Sequence, residues 1–263
     1  MSFQQGISGL SAAARNLDVI GNNIANANTI GAKVSRAEFA DLYASTASPV
    51  AGQDAGMGVQ MAEYVCHAVM RHFRRFDLMH AQQRQGVWKQ PPAPDRASYA
   101  VGVMGMGVLG RCVVQALQAF DYTVHAWTRT PPADMPPGVF SHVGPRGLPA
   151  FLAQSHSLVC LLPLTPQTDS ILNRKTLAQL PRGAHVINVA RGAHVVDEDL
   201  LALIDEGQLE GATLDVFRQE PLPREHAFWS HPAIRLTPHT SARTLRSQAV
   251  GQIVGKIAQA DAG

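Results

Sequence analysis

The stretch AVGVMGMGVLG, residues 100–110, carries the pattern that decides the fold. An apolar run ends at Met104, and three glycines then follow at the spacing GxGxxG: Gly105, Gly107 and Gly110. A helical pattern continues from Arg111, and a second apolar run ends at Trp127. Strand, glycine-rich turn, helix and strand in this order are typical of the first βαβ unit of a dinucleotide-binding domain. The glycines are expected to allow a tight turn, the approach of a pyrophosphate and close helix-strand packing, in that order.

Six short apolar segments have the length of strands, and helical patterns lie between most of them. They are Tyr99–Met104, Thr123–Trp127, Leu158–Leu162, His185–Val189, Thr213–Phe217 and Ile234–Leu236. One helix is predicted over Asp197–Ile204, with Asp197 capping its first turn and Gly207 following its last. Such alternation requires parallel strands joined by right-handed crossovers. We therefore predict an α/β fold with a doubly wound parallel sheet of the Rossmann type.

The end of the second strand predicts which dinucleotide is bound. It reads Trp127-Thr128-Arg129-Thr130 and contains no acidic residue. Domains that bind NAD carry an Asp or Glu there, which bonds the ribose 2′-hydroxyl. A guanidinium can instead pair with a 2′-phosphate, which a carboxylate would repel. We expect Thr128, Arg129 and Thr130 to contact NADPH, with NAD the weaker candidate; the alternative is that Arg129 is an exposed loop cation.

Three polar residues follow strand patterns in the blocks INVARGAHVVDEDLL, LDVFRQEPLP and FWSHPAIRLTPHTSA: Arg191, Glu220 and His239. The carboxyl ends of parallel strands share one rim of a sheet, which is where ligands bind. A fixed guanidinium can hold the carboxylate and keto oxygens of a 2-oxo acid, and an imidazolium can donate a proton to the alkoxide that forms. A neighbouring carboxylate favours the charged ring. One of 11 histidines alone is more often a surface or core residue, but the three roles together predict catalysis.

The composition is that of a folded globular protein, with 46% hydrophobic and 16% charged residues. Lys and Arg number 22 against 20 Asp and Glu, with no long basic run, so we expect a small-molecule partner and no nucleic acid. Cys66, Cys112 and Cys160 form no CxxC pair, which predicts a reducing, cytoplasmic compartment and no structural metal site. No signal peptide and no membrane-spanning run are recognised in the sequence.

Residues 1–52 differ in kind from the rest, being rich in Ala, Asn, Ser and Gly. Apolar residues from Phe3 to Ile24 are spaced alternately by four and three, as in a coiled-coil seam. The segment, with the block NNIANANT at 22–29, resembles the N-terminus of bacterial flagellar hook protein, although Ala32 stands where an aromatic residue is usual. An ordinary surface helix packed on the following domain is the alternative.

Residues 59–84 are predicted to form one amphipathic helix, because four apolar side chains repeat at helical spacing: Val65, Val69, Phe73 and Phe76. Arginines lie on its other faces and are expected to form a solvated surface. A stiff linker follows, containing Pro91, Pro92 and Pro94.

The catalytic blocks, together with AEYVCHAVMRHFRRF, QQRQGVW, GVMGMGVLG and CLLPLTPQTDSILN, resemble the D-isomer-specific 2-hydroxyacid dehydrogenase family, especially its glyoxylate/hydroxypyruvate reductase branch. The resemblance covers about residues 53–263. It implies NADPH-dependent reduction of a small 2-oxo acid by a homodimer, with Arg191 as substrate anchor, His239 as acid/base and Glu220 as the partner of the histidine. The further cofactor contacts expected are Val108, Leu109, Leu162, Pro163, Leu164, Thr165, Val189, Ala190, Asp215 and His239.

Four parts are expected along the chain. They are the hook-like segment 1–52, a crossing helix and linker from a truncated substrate domain at 53–97, the NADP-binding Rossmann domain at 98–241, and a C-terminal helix returning toward the substrate domain at 242–263. Members of the resembled family begin with most of a substrate domain, so half of the active-site cleft is expected to be absent. Three functions stay open: a reductase of glyoxylate or hydroxypyruvate, a catalytically impaired NADP-binding remnant, and a flagellar axial component.

Overall fold

The computed structural model describes residues 53–132 and 134–243, all within one compact unit, Val50–Gly263. Seven parallel strands form one sheet in the order β3-β2-β1-β4-β5-β6-β7. They are β1 (Ala100–Met104), β2 (Thr123–Thr128), β3 (Val139–Val143), β4 (Ser157–Cys160), β5 (Ala184–Asn188), β6 (Leu209–Leu214) and β7 (Ile234–Leu236). The doubly wound parallel sheet predicted from the sequence is therefore confirmed.

Helices lie before, between and beside these strands. They are α1 (Gln53–Phe73), α2 (Phe76–Arg84), α3 (Val108–Ala119), α4 (Gly144–Ala153), α5 (Arg174–Leu177) and α6 (Asp197–Asp205), with short 3-10 turns at Gly192–His194 and Ala227–Trp229. Every residue of β1 and β5 is buried, as expected for central strands that are covered on both faces.

The core consists of two apolar clusters. One contains Phe151, Leu158 and Leu200, and the other contains Val65, Val113 and other residues of α1, α3 and the sheet. Val65 and Val69 are both 0% exposed, so the apolar stripe of α1 is fully used in packing. The close contact continues at Gly58, where an added Cβ would lie 2.6 Å from the Cys112 sulfur. Because α1 packs so tightly, it is a rigid part of this unit.

Four details of the sequence prediction are wrong. The helix predicted over 59–84 begins earlier and is broken near Arg75, whose backbone is left-handed with φ 58°. Strand β3 was not predicted, because an edge strand of mixed polarity shows no continuous apolar run. The strand predicted over Thr213–Phe217 is β6, which runs from Leu209 to Leu214. Its first half contains Glu210 and Gly211 and shows no apolar run, but hydrogen bonds to β5 hold it in the sheet.

The fourth detail concerns the start of α6. Asp197 does not cap it: the N-cap is Val196, and Asp197 is the first helical residue, 3.5 Å from the His226 ring. The helix does end as predicted, with Gly207 at φ 68°. The predicted hook-like segment 1–52 and most of the predicted C-terminal helix, residues 244–263, lie outside the described residues.

A buried histidine pair joins α1 to the amino-terminal edge of the sheet. The His72 and His185 rings stack with centroids 4.8 Å apart, and His185 Nε2 lies 2.9 Å from the Thr213 hydroxyl. Burial, and then the nearby Arg75, lower the pKa of His72 from 6.5 to about 4. Burial and the neighbouring His72 also place the pKa of His185 well below its ordinary value. The fold therefore requires both rings to be neutral.

We predict that the protein loses stability in acid through this pair. The contribution of a neutral His72 is fully present above pH 6.5 and declines as the pH falls toward 4. By linkage, the loss from His72 amounts to about 3 kcal/mol of unfolding free energy. In urea titrations at neutral and acidic pH, His72→Gln should show a smaller pH dependence than the wild type. The exposed His80 on α2 is the control: if His80→Gln flattens the dependence equally, the buried pair is not its source.

Candidate active site

The glycine turn between β1 and α3 has the geometry that the sequence predicts. Gly105 has φ 103°, and a Cβ there would lie 2.8 Å from the Leu161 carbonyl oxygen. A Cβ on Gly110 would lie 2.1 Å from the Gly105 oxygen, so helix and turn touch at this point. In contrast, nothing lies within 4 Å of the Cβ position of Gly107. The backbone at Gly107 is thus open to a ligand, while its two neighbours are closed by packing.

The turn lies at the point where the order of the strands reverses. Strand β1 pairs with β2 on one side and with β4 on the other, so a crevice opens beyond their carboxyl ends. The segment after β4 forms the opposite wall. There the Thr168 hydroxyl donates to the Pro163 carbonyl and accepts from the Thr165 N–H at 2.8 Å. The Leu164 side chain in this turn is 42% exposed. Leu162 is buried, so only part of the predicted segment 162–165 faces solvent.

The end of β2 presents its predicted cation to solvent. The Trp127 indole N–H donates to the Gly144 carbonyl at 2.9 Å, which fixes the strand end against the start of α4. Arg129 and Thr130 follow and are exposed, and Thr128 is half-buried. A guanidinium held just beyond the strand in this way can meet an anionic group that enters the crevice from solvent.

Arg191 lies in a tight turn after β5, and two buried residues hold its backbone. The Asn188 amide donates to the Arg191 carbonyl at 2.9 Å, and the same side chain accepts from the Ala190 N–H at 3.2 Å. His194 Nδ1 accepts from the Arg191 N–H at 3.2 Å, and burial lowers the pKa of His194, so its ring is neutral. The guanidinium itself donates to the Ala190 carbonyl.

Glu220 and His239 form a direct pair. His239 Nδ1 lies 2.8 Å from one carboxylate oxygen of Glu220, while the other oxygen accepts from the Phe217 N–H at 3.0 Å. The side chains of the histidine and the glutamate are 37% and 34% exposed. Since Nδ1 is engaged, Nε2 is the ring atom left to meet a substrate, and the pair is open enough for one to enter.

The Arg191 turn and the Glu220 loop are joined to each other. A Cβ on Gly192 would lie 1.8 Å from the Phe217 carbonyl carbon, so the two chains meet with no room for a side chain. Arg218 strengthens the join by donating to the carbonyls of Val195 and Ala193 at 2.8 and 2.9 Å. The structure thus brings the guanidinium-bearing turn beside the loop that carries the histidine partner.

Asp215 organises the segment that carries His239. It is 0% exposed, and its carboxylate accepts from the Thr237 hydroxyl at 2.5 Å and from the N–H groups of Thr240 and Ser241 at 2.8 and 2.7 Å. The Asp215 carbonyl also accepts from the His239 N–H at 2.9 Å. His239 has φ 54°, a left-handed conformation that is uncommon for residues other than glycine.

Sequence reasoning missed several residues that hold the site together: Tyr64, Asn188, His194, Arg218 and Thr237. Each acts through a backbone group or through another side chain, so none has a spacing that marks it. Asn188 is the polar last residue of the otherwise largely apolar strand β5, which is the one signal that could have identified it. In the described ranges, no group of three His, Cys, Asp or Glu residues could hold a metal ion, and no helix is both long and apolar enough to cross a membrane.

A Rossmann sheet with a glycine turn at its switch point and a histidine-carboxylate pair at the same edge defines a dinucleotide-binding dehydrogenase. The profile of the D-isomer specific 2-hydroxyacid dehydrogenase NAD-binding domain matches residues 66–241. The chain belongs to the D-isomer-specific 2-hydroxyacid dehydrogenase family. This confirms the family expected from the motifs.

Curated relatives narrow the comparison within the family. A glyoxylate/hydroxypyruvate reductase A of Yersinia enterocolitica is 46% identical over 211 residues, which cover 80% of this chain and 67% of that protein. One from Salmonella paratyphi B is 47% identical over the same length, with equal coverage.

Solved structures have the same fold. A D-isomer specific 2-hydroxyacid dehydrogenase from Xanthobacter autotrophicus Py2, in complex with NADPH and MES, matches with a TM-score of 0.73 and 40% identity, covering 79% of this chain and 85% of that one. An NADPH-dependent glyoxylate/hydroxypyruvate reductase from Sinorhizobium meliloti, in complex with NADP and sulfate, matches with a TM-score of 0.74 and 35% identity, covering 80% and 67%.

The N-terminal segment has a separate match. The profile of flagella basal body rod proteins matches residues 3–33. The predicted resemblance of this segment to flagellar axial proteins is therefore confirmed at the level of the sequence.

We predict that one added methyl group destabilises the fold much more at Gly110 than at Gly107. Gly110→Ala should destabilise the fold by at least about 1–3 kcal/mol, since its Cβ meets backbone that cannot move cheaply. Gly107→Ala should cost less than about 1 kcal/mol, because its site is open and its φ is one that alanine tolerates. Thermal unfolding of both variants without cofactor measures the difference, and equal melting temperatures would contradict the packing described.

Proposed function

We propose that this chain is an NADPH-dependent reductase of a small 2-oxo acid, glyoxylate or hydroxypyruvate. The observation that carries the proposal is the Glu220–His239 pair, held at 2.8 Å on the sheet edge where the glycine turn opens. Its curated relatives bear the name glyoxylate/hydroxypyruvate reductase A, and one matching structure is that of an NADPH-dependent glyoxylate/hydroxypyruvate reductase. The histidine-carboxylate pair is what proton transfer to a developing alkoxide requires.

The residues of the crevice fit a phosphorylated dinucleotide. The open backbone at Gly107 and the N-terminus of α3 would face the pyrophosphate, with Val108 and Leu109 in the first turn. Arg129, with Thr128 and Thr130, would meet a 2′-phosphate. The segments Leu162–Thr165 and Val189–Ala190 would form the walls. When bound, NADPH supplies the hydride that the carbonyl carbon of the substrate accepts.

The side chains at the edge of the sheet would divide the remaining work. Arg191 holds the carboxylate and keto oxygens of the substrate and polarises the carbonyl. His239 donates a proton from Nε2 to the oxygen at C2 as negative charge develops there. Glu220 accepts from Nδ1, which orients the ring and leaves Nε2 for the substrate.

Asp215 is proposed here as the organiser of the His239 segment rather than as a group that reacts. Three donors from that segment occupy its carboxylate, and none of its surface is exposed. Its expected position beside the nicotinamide stays a prediction.

We further propose that the chain forms a homodimer through α2 and the segment after it. No residue of α2 is buried, and Leu78 on it is 46% exposed. Trp88, which follows, is fully exposed at 103%, beside Val87 at 45%. Large apolar side chains presented together in this way are typical of surfaces that another chain covers. A cytoplasmic location is proposed with it, since the three cysteines are free thiols.

The cofactor preference can be tested at Arg129. We expect the wild type to bind NADPH more tightly than NADH, and Arg129→Asp to reverse the order, because a carboxylate repels the 2′-phosphate and bonds a 2′-hydroxyl. Titration of cofactor fluorescence with each nucleotide measures both constants. The control is Arg146→Asp, which makes the same change of charge at an arginine in α4. Tighter binding of NADH by the wild type would refute the assignment.

The acid/base role can be tested at His239. With NADPH and glyoxylate or hydroxypyruvate, His239→Ala should lower kcat by about 10²–10⁴-fold, the usual effect of losing a positioned general acid. Glu220→Gln should leave cofactor binding intact and lower kcat, because the charge-assisted hydrogen bond that orients the His239 ring is weakened.

A second histidine-carboxylate pair in the same fold serves as the control. His231 Nε2 lies 3.2 Å from Asp205. His231 precedes β7 and so lies at the amino-terminal ends of the strands, away from the candidate site. His231→Ala and Asp205→Asn should leave kcat within about twofold of the wild type, as for surface changes away from the site. Equal losses in the two pairs would mean that the effect at His239 is one of stability and not of proton transfer.

A further inference from the structure

Helix α1 contacts the His239 segment at both of its ends. We define the His239 loop as residues 237–243, which run from the end of β7 past the histidine. At the first end, the Tyr64 hydroxyl lies 2.6 Å from the Thr237 hydroxyl. At the other end, the Gln60 amide donates to the Arg243 carbonyl at 3.1 Å and accepts from the Arg243 N–H at 3.0 Å. The loop is thus attached to α1 on either side of His239.

The two attachments come from one face of the helix. Gln60 and Tyr64 are four residues apart in α1, and side chains at this spacing lie one above the other. The helix between and after them is fixed to the rest of the fold, because Val65 and Val69 are completely buried. A rigid helix face with two hydrogen-bonding side chains therefore sets the distance between the ends of the loop.

The direction of the hydrogen bonds at Tyr64 extends the attachment to Asp215. Since the carboxylate of Asp215 accepts, the Thr237 hydroxyl must give it its one proton, and Tyr64 must then donate to Thr237. Burial raises the pKa of Tyr64 to about 12, which keeps the phenol protonated and able to donate. Tyr64, Thr237 and Asp215 form a chain that ends at the N–H groups of Thr240 and Ser241.

This arrangement matters because the histidine is held in a costly conformation. A left-handed backbone is uncommon at residues other than glycine, and contacts from the surrounding chain stabilise it. The φ of 54° at His239 directs the ring toward Glu220, and the loop would relax if its ends were released.

We propose that Tyr64 and Gln60 are positioning residues for His239, so that α1 keeps the imidazole in reach of Glu220. This inference rests on the proposed function for its effect on rate, but its structural part does not. Neither residue touches the reacting atoms; both act through the loop. Tyr64→Phe removes a single oxygen from the chain of hydrogen bonds, and Gln60→Ala removes the second attachment.

The rate test uses the whole chain with NADPH and glyoxylate. Tyr64→Phe should lower kcat by about 10-fold, as expected when a catalytic group loses its alignment, with the Kd for NADPH within about twofold of the wild type. Gln60→Ala should act in the same direction. In the His239→Ala background, Tyr64→Phe should have no further effect, because residues that act through one group are not additive. An equal loss in both backgrounds would overturn the proposal.

Tyr99 offers a matched control. Its hydroxyl also bonds a hydroxyl, that of Ser157 at 2.5 Å, but at the amino-terminal edge of the sheet. Tyr99→Phe makes the same chemical change and should leave kcat unchanged, whatever its effect on the melting temperature. A loss equal to that of Tyr64→Phe would mean that both variants act through general destabilisation, which would refute a role specific to Tyr64.

The attachment of the His239 loop to α1 through Tyr64 and Gln60 is called the clamp below. Amide hydrogen exchange tests this clamp without a measurement of activity. In Tyr64→Phe, the N–H groups of Thr240 and Ser241 should exchange at least about 10-fold faster than in the wild type, and in Tyr99→Phe they should not. If the wild type reduces neither acid but the exchange changes as expected, the proposed function fails and the clamp stands. If the exchange at both amides is the same in Tyr64→Phe and in the wild type, the clamp is refuted.

Discussion

The backbone hydrogen bonds that pair seven strands in parallel place every candidate site residue on one edge of the molecule. Because all strands run the same way, the glycine turn, Arg191, Asp215 and the His239 loop all follow the carboxyl ends of strands. The reversal of strand order between β1 and β4 then opens the crevice beside them. An antiparallel strand in this sheet would carry its following residues to the other edge, and the set would be divided.

The histidines at the amino-terminal and carboxyl-terminal edges of the sheet differ in burial and in their neighbours. At the amino-terminal edge, His72 and His185 are buried against each other, and the fold requires both to be neutral. At the carboxyl-terminal edge, His239 is partly exposed and lies 2.8 Å from the Glu220 carboxylate, which engages only Nδ1 of its ring. Burial, and not the residue type, therefore decides which of these histidines a substrate could reach.

Two unrelated profiles match this chain, one at residues 3–33 and one at residues 66–241. The second covers the whole of the sheet and the C-terminal part of α1, from Cys66 to Phe73. The two reductases of Yersinia and Salmonella match 80% of this chain, and the chain spans 67% of their length. The helix before the Rossmann domain, α1, contacts the His239 loop through Gln60 and Tyr64.

The sequence alone determined the class of fold, the glycine turn and the three charged residues after strands β5 to β7. These features have strong local signals, because a strand, a glycine with positive φ and a helix start each demand particular residues within a few positions. The edge strand β3, the break at Arg75 and the true position of β6 had no such signal. Strand β3 depends on its pairing with β2, and the position of β6 depends on its pairing with β5. The break at Arg75 lies just after Phe73, the last residue of α1 and part of the core.

The tertiary structure alone decided how the site is held. Glu220 meets His239 across 19 residues of sequence, and Tyr64 meets Thr237 across 173. A hydrogen bond between residues so far apart leaves no periodicity in the chain, so Tyr64, Gln60 and Asn188 look like ordinary helix and strand residues. Their roles follow from distances that only the packed sheet and helices define. The sequence thus determined which groups can do the chemistry, and the packing determined which neighbours align them.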